Sequence, residues 1–412
     1  MKLKTILDSE LCTGCGLCSS VYSKSISMAL SEKGFLRPKV IEKSVLDIEL
    51  PFCPGAGLYI EKHDSQNNIL WGNINNCLVD FSSSSEVRYR GASGGVLSQI
   101  GIYLLENKLV DGVIHIGVDS NDPLKNIIKV SKTKAEIVCN AGSRYSPAAP
   151  LEKILQIIGE NGNKKYAFIG KPCDVAALRV FISNNKHYAN NIPYIFSFMC
   201  AGTPSIEGTY EILRKFHIKK EDLISFRYRG DGWPGVTKAV DRHFGEKKMS
   251  YNESWGNILG KYLQKRCKIC PDGIGEFADI VCADAWHGDK SGYPNFEEKD
   301  GRSLIIIRTT VGVDLINQML MSNSITTESF NINELNTIQP AQRHRRQSLF
   351  ARLLAMKLML LITPKYKGFS LFSNAMSMSF KRNIFAFCGM VLRIIRKKYE
   401  KNIYNICELS FF

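Results

Sequence analysis

Cys12-Thr13-Gly14-Cys15-Gly16-Leu17-Cys18 spaces three thiols so that a short loop can turn all three sulfurs towards one point, with glycine N–H groups facing them. That arrangement suits three corners of a [4Fe-4S] cube, whose irons are held by cysteine thiolates. The fourth cysteine expected just after the triple is missing, because Val21-Tyr22-Ser23 occupies that place. Cys53 comes next, in Pro51-Phe52-Cys53-Pro54-Gly55, where the following proline gives the setting of a remote fourth ligand. Cys12, Cys15, Cys18 and Cys53 are read as one cluster site. Zinc is the alternative, although four-thiolate zinc sites usually bring two separated pairs rather than three plus one.

A second set of thiols is scattered. The apolar run Tyr166 to Gly170 ends in Lys171-Pro172-Cys173, and the run Pro193 to Met199 ends in Cys200-Ala201-Gly202, so each cysteine is predicted at the C-terminal end of a strand. Cys267-Lys268-Ile269-Cys270-Pro271 adds a pair at metal-ligand pitch. Cys173, Cys200, Cys267 and Cys270 together supply enough thiolates for a second cluster, with Cys282 as a substitute member. Cys77, Cys139, Cys388 and Cys407 stand alone and read as ordinary thiols, and His115, inside a strand run, as a satisfied core histidine.

Two further stretches suit anionic or flat ligands. Ser93-Gly94-Gly95 opens a run with helical period over 98–107, and a small-residue loop at a helix start offers free N–H groups to a phosphate, although such starts also serve packing. Phe226-Arg227-Tyr228-Arg229-Gly230-Asp231-Gly232-Trp233-Pro234-Gly235 reads either as a loop over a ring ligand, its arginines facing anionic groups, or as a twisted hairpin.

These sites need elements to hold them. Strand, helix and strand alternate from Gly112 through Tyr166 to Asp174, which predicts an α/β core with ligand-facing loops at strand ends, and Gly301 to Thr309 reads as a plain strand closing that core. Ile26 to Leu30 and Glu32 to Pro38 read as two short strands around a Gly turn that carries the chain back to Cys53. The expected organisation is a small cluster module over 1–65, an oxidoreductase core over 66–335 and a basic helical tail over 336–412.

The net charge of +15 would suggest nucleic acid, but fourteen Lys and Arg against only Glu400 and Glu408 lie from Ala341 onward. The rest is nearly balanced, which argues against a broad phosphate-binding face. The tail mixes those cations with Leu, Phe and Met, and two readings stay open: an amphipathic anchor on an anionic membrane, or helices packed on the core with solvated basic faces. No apolar stretch at the start fits a signal peptide and no run of eighteen apolar residues occurs. The expected setting is therefore cytoplasmic or peripheral at the inner face of a membrane, where thirteen cysteines stay reduced for metals or chemistry.

The ordered motifs, from the cysteine triple through Gly34-Phe35-Leu36-Arg37-Pro38, Cys53-Pro54-Gly55, Ser93-Gly94-Gly95, Gly142-Ser143-Arg144-Tyr145, Gly170-Lys171-Pro172-Cys173, Cys200-Ala201-Gly202, Phe226 to Arg229 and Cys267 to Cys270, to Ala278-Asp279-Ile280, span 12 to about 315. In this order they resemble the coenzyme F420 hydrogenase/dehydrogenase beta-subunit family, which is similar in fold to 7-hydroxymethyl chlorophyll a reductase. The resemblance implies a small ferredoxin-like module on an α/β core that binds FAD beside one or two 4Fe-4S clusters. FAD would be held by Ser93, Gly94, Gly95 and by Gly142, Ser143, Arg144 and Tyr145, with Lys171 nearby. The chain departs from the pattern in carrying one full cysteine triple, in having Ala283-Asp284-Ala285-Trp286-His287-Gly288 for Gly-Asp-x-Trp-Gly, and in having Lys171 before Pro172-Cys173. The implied activity is electron exchange between clusters and FAD to reduce or oxidise an organic substrate or carrier, in a polysaccharide-synthesis context by analogy with bacterial relatives. Its donor would be a ferredoxin or a reduced deazaflavin or nicotinamide carrier. The alternative is an electron-transfer or scaffolding subunit without substrate chemistry of its own.

Overall fold

Short runs rich in Val, Ile and Phe, bounded by Gly, Asn and Ser, become the strands of one sheet. They are β1 (Asn76–Ser82), β2 (Gly112–Val118), β3 (Asn126–Ser131), β4 (Tyr166–Gly170), β5 (Tyr194–Phe198), β6 (Ile280–Asp284), β7 (Ser303–Ile307) and β8 (Ile325–Glu328). The computed structural model describes residues 1–61, 67–160, 162–243, 245–288, 294–328 and 330–409. Across the sheet the order is β8-β1-β7-β6-β5-β4-β2-β3. The inner strands β6, β5, β4 and β2 are parallel, while β8, β1, β7 and β3 add antiparallel flanks.

Both faces of the sheet are covered, which is why its strands read as continuous apolar runs. Ile114, Phe168 and Ile195 pack on one side against Val175 and Leu178 of the helix Pro172–Asn184. Val113, Ala167 and Phe196 pack on the other against Ile100 and Leu104 of the helix Val96–Glu106 and Leu315 of the helix Thr310–Met321. The α/β expectation holds for the parallel half. The stretch 301–309, expected to close the core, instead places β7 inside the sheet between β1 and β6. The parallel strands end towards one side, and the chain leaves β4 into Cys173 and its neighbour β5 into Cys200. Loops beyond the carboxyl ends of such strands are the usual ligand side of the architecture.

The N-terminal hairpin is present as Ile26–Leu30 paired antiparallel with Leu36–Val40. Its turn uses Gly34 at φ 69°, where an added Cβ would meet the Ser205 hydroxyl at 2.3 Å. The stretch Phe226 to Gly235 joins two antiparallel strands, Leu223–Arg227 and Thr237–Asp241, so the twisted-hairpin reading describes its frame. After the sheet come the helices Pro340–Leu358, Leu371–Met376 and Phe380–Leu409. Leu349, Leu353 and Met356, at helical spacing, bury their side chains with Ile6, Leu11 and Ile269. Lys365–Lys367 pairs in parallel with Gly57–Tyr59, tying the tail to the N-terminal segment. Among the described residues no helix is long and apolar enough to cross a membrane.

Candidate functional site

The first cysteine loop turns on two left-handed glycines, Gly14 at φ 81° and Gly16 at φ 87°, which curl the backbone around the thiols. Gly14 N donates to Cys12 Sγ at 3.4 Å, and Leu17, Ser19, Gly55 and Ala56 direct backbone N–H groups at Cys15, Cys18 and Cys53. Burial pushes all four thiols above their ordinary range, Cys53 to about 11. Neighbouring thiols then add to the shift: Cys53 and Cys12 on Cys15; Cys15, Cys12 and Cys53 on Cys18; Cys12 on Cys53. The fold therefore brings Cys53 to the triple.

The second quartet converges in the same way. Burial raises Cys173, Cys200 and Cys270, Cys200 to about 12; Cys200 and Cys270 act on Cys173, and Cys267 acts on Cys200 and Cys270. Thr203 N and the Gln264 side chain each donate to Cys267 Sγ at 3.4 Å. Cys282 does not join. It lies in the interior of β6 with its side chain in the apolar layer of Ile280 and Ile305, so alternation along the strand turns it away from the strand-end loops. His115 is a core histidine, its Nε2 at 2.7 Å from the Ser131 hydroxyl.

Among the described residues no three His, Cys, Asp or Glu side chains are close enough to share a single metal ion. A cube, with one thiolate on each of four irons, spreads its ligands more widely than a single ion does.

Two side chains that sequence reading passed over join the quartets. Gln264 Nε2 reaches Thr13 O at 3.4 Å as well as Cys267 Sγ, and its Oε1 accepts from Arg37 Nη2 at 2.7 Å. Arg266, 2 % exposed, donates to Pro54 O at 2.9 Å, and its charge acts on Cys12 and Cys53 as well as Cys270. Both flank Cys267, so only their neighbourhood in sequence hinted at the role.

The helix Pro340–Leu358 closes over the second quartet. Arg345 donates to Cys200 O at 3.2 Å and Cys267 O at 3.0 Å, Gln342 to Cys200 O at 3.2 Å, and Arg352 to Lys268 O at 3.0 Å. Arg346 pairs with buried Glu276. Several tail arginines expected to be solvated or lipid-facing are thus used inward.

The predicted FAD residues are divided. A cleft of about 270 Å3 is lined by Gly142, Ser143 and Arg144 together with Arg90, Arg227 and Lys238. Arg90 and Arg227 share Asp231, at 2.7 and 3.3 Å, which leaves the pair one positive charge in excess. Arg144 also anchors its segment, donating to Asn126 Oδ1 at 2.7 Å and Pro123 O at 3.0 Å. Tyr145 packs its ring on Trp255 at 4.6 Å. Ser93, Gly94 and Gly95 do not line this cleft: Ser93 bonds Ser303 at 2.9 Å, and a Cβ on Gly94 would meet Ser303 N at 2.7 Å. Close approach to β1 and β7 explains Gly94, while Gly95, at φ 75°, lies against the backbone of the helix Ser85–Arg90, where a Cβ would meet Val87 O at 2.5 Å. Lys171 lies at the second quartet, its Nζ 2.7 Å from buried Asp174.

The hairpin loop builds an aromatic wall where β6 ends. Arg229 forms a two-pronged pair with Asp284 at 2.9 and 2.6 Å, Trp233 Nε1 donates to the same carboxylate at 2.7 Å, and Trp233 stacks on Trp286 at 4.9 Å. Arg229 is thereby occupied by the protein's own carboxylate.

Comparison with known proteins covers most of this framework. The carboxy-terminal region of the family described as "Coenzyme F420 hydrogenase/dehydrogenase, beta subunit" matches residues 163–332, and the amino-terminal region of the same family matches 78–156. The coenzyme F420 hydrogenase subunit beta of Methanococcus voltae is 27% identical over 263 residues, 63% of this chain and 86% of that protein. The F420-dependent formate dehydrogenase subunit beta of Methanocaldococcus jannaschii is 30% identical over 210 residues, 49% of this chain and 50% of its own length. From the same organism, a coenzyme F420-dependent sulfite reductase is 25% identical over 342 residues, 79% of this chain and 49% of its own. The chain therefore spans about half the length of the latter two. A chain of the F420-reducing [NiFe] hydrogenase complex of Methanosarcina barkeri aligns over 74% of this chain and 96% of its own with a TM-score of 0.49 and 18% identity.

Proposed function

The chain belongs to the coenzyme F420 hydrogenase/dehydrogenase beta-subunit family, and we propose that it is an oxidoreductase of that family which carries electrons through two [4Fe-4S] clusters to a flavin. Cys12, Cys15, Cys18 and Cys53 would hold one cluster, and Cys173, Cys200, Cys267 and Cys270 the other. The observation that carries the reading is the convergence of eight cysteines, Cys12 and Cys15 buried and the other six half-buried, into two quartets bridged by Gln264 and Arg266. When bound, such groups supply single-electron storage at the quartets and one-to-two-electron conversion at a flavin.

The chain's own contribution is placement and charge. N–H groups aimed at the sulfurs favour the thiolate form that burial opposes, and Arg266 and Arg345 add positive charge beside it. For the flavin we propose that Gly142, Ser143, Arg90 and Arg227 receive its anionic part, where the surplus positive charge of the arginines lies. Ser93 and Gly94 would then act by positioning β1 and β7, and Gly95 by packing on Val87, rather than by contact. The relatives' names make them F420-dependent, so the proposed exchange partner is a reduced deazaflavin carrier. Relatives named as subunits favour a second reading, in which the clusters relay to another subunit and the chain has no substrate chemistry of its own.

Anaerobic purification with iron, sulfide and flavin counted together tests the first reading. About eight irons per chain are expected from two cubes, with Cys12→Ser and Cys267→Ser each removing about half. A content near four that Cys267→Ser leaves unchanged removes the second site. Failure to bind added flavin, in a protein whose reduced form is oxidised only by a co-purifying subunit, favours the relay.

A further inference from the structure

The helices after residue 340 carry apolar side chains on two faces, and the fold uses one of them. Leu349, Leu353, Met356, Met390 and Ile394 are buried with Ile6 and Leu11. The opposite face is left open: on the last helix Phe380, Phe385 and Leu392 are 81, 65 and 62 % exposed, and on the preceding short helix Phe372 and Met376 are 62 and 69 % exposed. Both of these helices pack on Pro340–Leu358, which adds exposed Leu358. An apolar surface of this kind on a folded chain marks an interaction site.

Its charge identifies the occupant. Lys357, Lys381, Arg382, Arg393 and Arg396 are exposed among these apolar groups, and no Asp or Glu occurs from 335 to 399. A second copy would set like charges against each other, and the outward stripe Phe385, Cys388, Leu392, Ile395 covers less than two heptads, too short for a coiled coil. A bilayer rich in anionic phospholipid satisfies both halves, taking the Phe and Leu side chains at the headgroup boundary and the cations at its phosphates.

We propose that the outer face of the helices 371–376 and 380–396 lies on an anionic membrane surface while their inner face stays packed on the fold. The chain lies on the bilayer rather than crossing it, in keeping with the absence of a spanning helix among the described residues.

The test is sedimentation of the full chain with vesicles of phosphatidylglycerol or of phosphatidylcholine, at low salt and at high salt. Binding to phosphatidylglycerol at low salt is expected, with release at high salt and none to phosphatidylcholine. Replacing Lys381, Arg382, Arg393 and Arg396 with Gln should weaken binding on the order of a hundredfold or more. Phe380→Ser, Phe385→Ser and Leu392→Ser together should abolish it, while an unchanged melting temperature shows that the inner packing survives. A full-length protein that stays in the supernatant with phosphatidylglycerol at low salt overturns the proposal and leaves the face to a protein partner. Binding that ignores both sets of substitutions overturns it equally.

Discussion

Asp284→Asn is the sharpest probe of the wall at the end of β6. Asp284 accepts two hydrogen bonds from Arg229, whose side chain is 3 % exposed, and a third from Trp233. Asparagine keeps the shape and one acceptor oxygen but removes the charge and sets an NH2 group against a guanidinium that only donates. Removing one member of a buried ion pair costs about 3–5 kcal/mol, because the remaining charge is left uncompensated. Asp284 is 19 % exposed, so water softens the loss, and a value near the low end, about 2–4 kcal/mol, is expected. The assay is urea unfolding followed by tryptophan fluorescence, for which stacked Trp233 and Trp286 act as local reporters. Arg229→Met combined with Asp284→Asn should recover much of that stability, since no orphaned charge remains. A single variant within about 0.5 kcal/mol of the parent, or a double variant no better than Asp284→Asn, would refute the reasoning.

Two further outcomes follow from other parts of the structure. Arg345→Gln should lower the reduction potential of the proposed cluster at Cys200 and Cys267 by tens of millivolts, where about 59 mV is a tenfold change in a one-electron equilibrium, and leave that of the proposed N-terminal cluster in place; equal shifts, read by redox titration with EPR, would make Arg345 merely structural. Burial, with Glu328 adding to it and Thr327 opposing, raises the Asp80 carboxyl from 3.8 to about 6. The folded state therefore holds the extra proton between those values, and stability falls as pH rises through that window, by up to roughly 3 kcal/mol. Asp80→Asn should remove the slope and raise the melting temperature at pH 7 but not at pH 4; a gain independent of pH would contradict it.

The gathering of the cysteines was legible because it is written in residue type and local spacing: the triple closes its own loop, and Cys173 and Cys200 each follow a strand that sequence alone predicts. The parallel core was legible for a similar reason, since burial on both faces leaves unbroken apolar runs. The antiparallel flank was not. Whether β7 pairs at an edge or inside the sheet depends on β1 and β8, and β1 carries Asn76 and Asp80, which dilute the apolar signal. The bridges of Gln264, Arg266 and Arg345 were hidden as well, because a long polar side chain declares its partner only when distant segments meet. Ser93 to Gly95 carry a second demand that the sequence does not separate from the first: the lack of side chains that would admit a phosphate also admits the backbones of β1 and β7 at Gly94 and of Val87 at Gly95.

The position of Arg345 also bears on how the protein is made. A ribosome releases all eight cysteines of the two quartets well before residues 340–358, so every ligand exists before the helix that covers Cys200 and Cys267 has been synthesised. During that interval the second quartet lacks its cover and stands open on the side that the finished fold closes. If the second quartet holds the proposed cluster, translation order gives a window for loading it, and a chain stalled before residue 340 is the form in which to look for its filling.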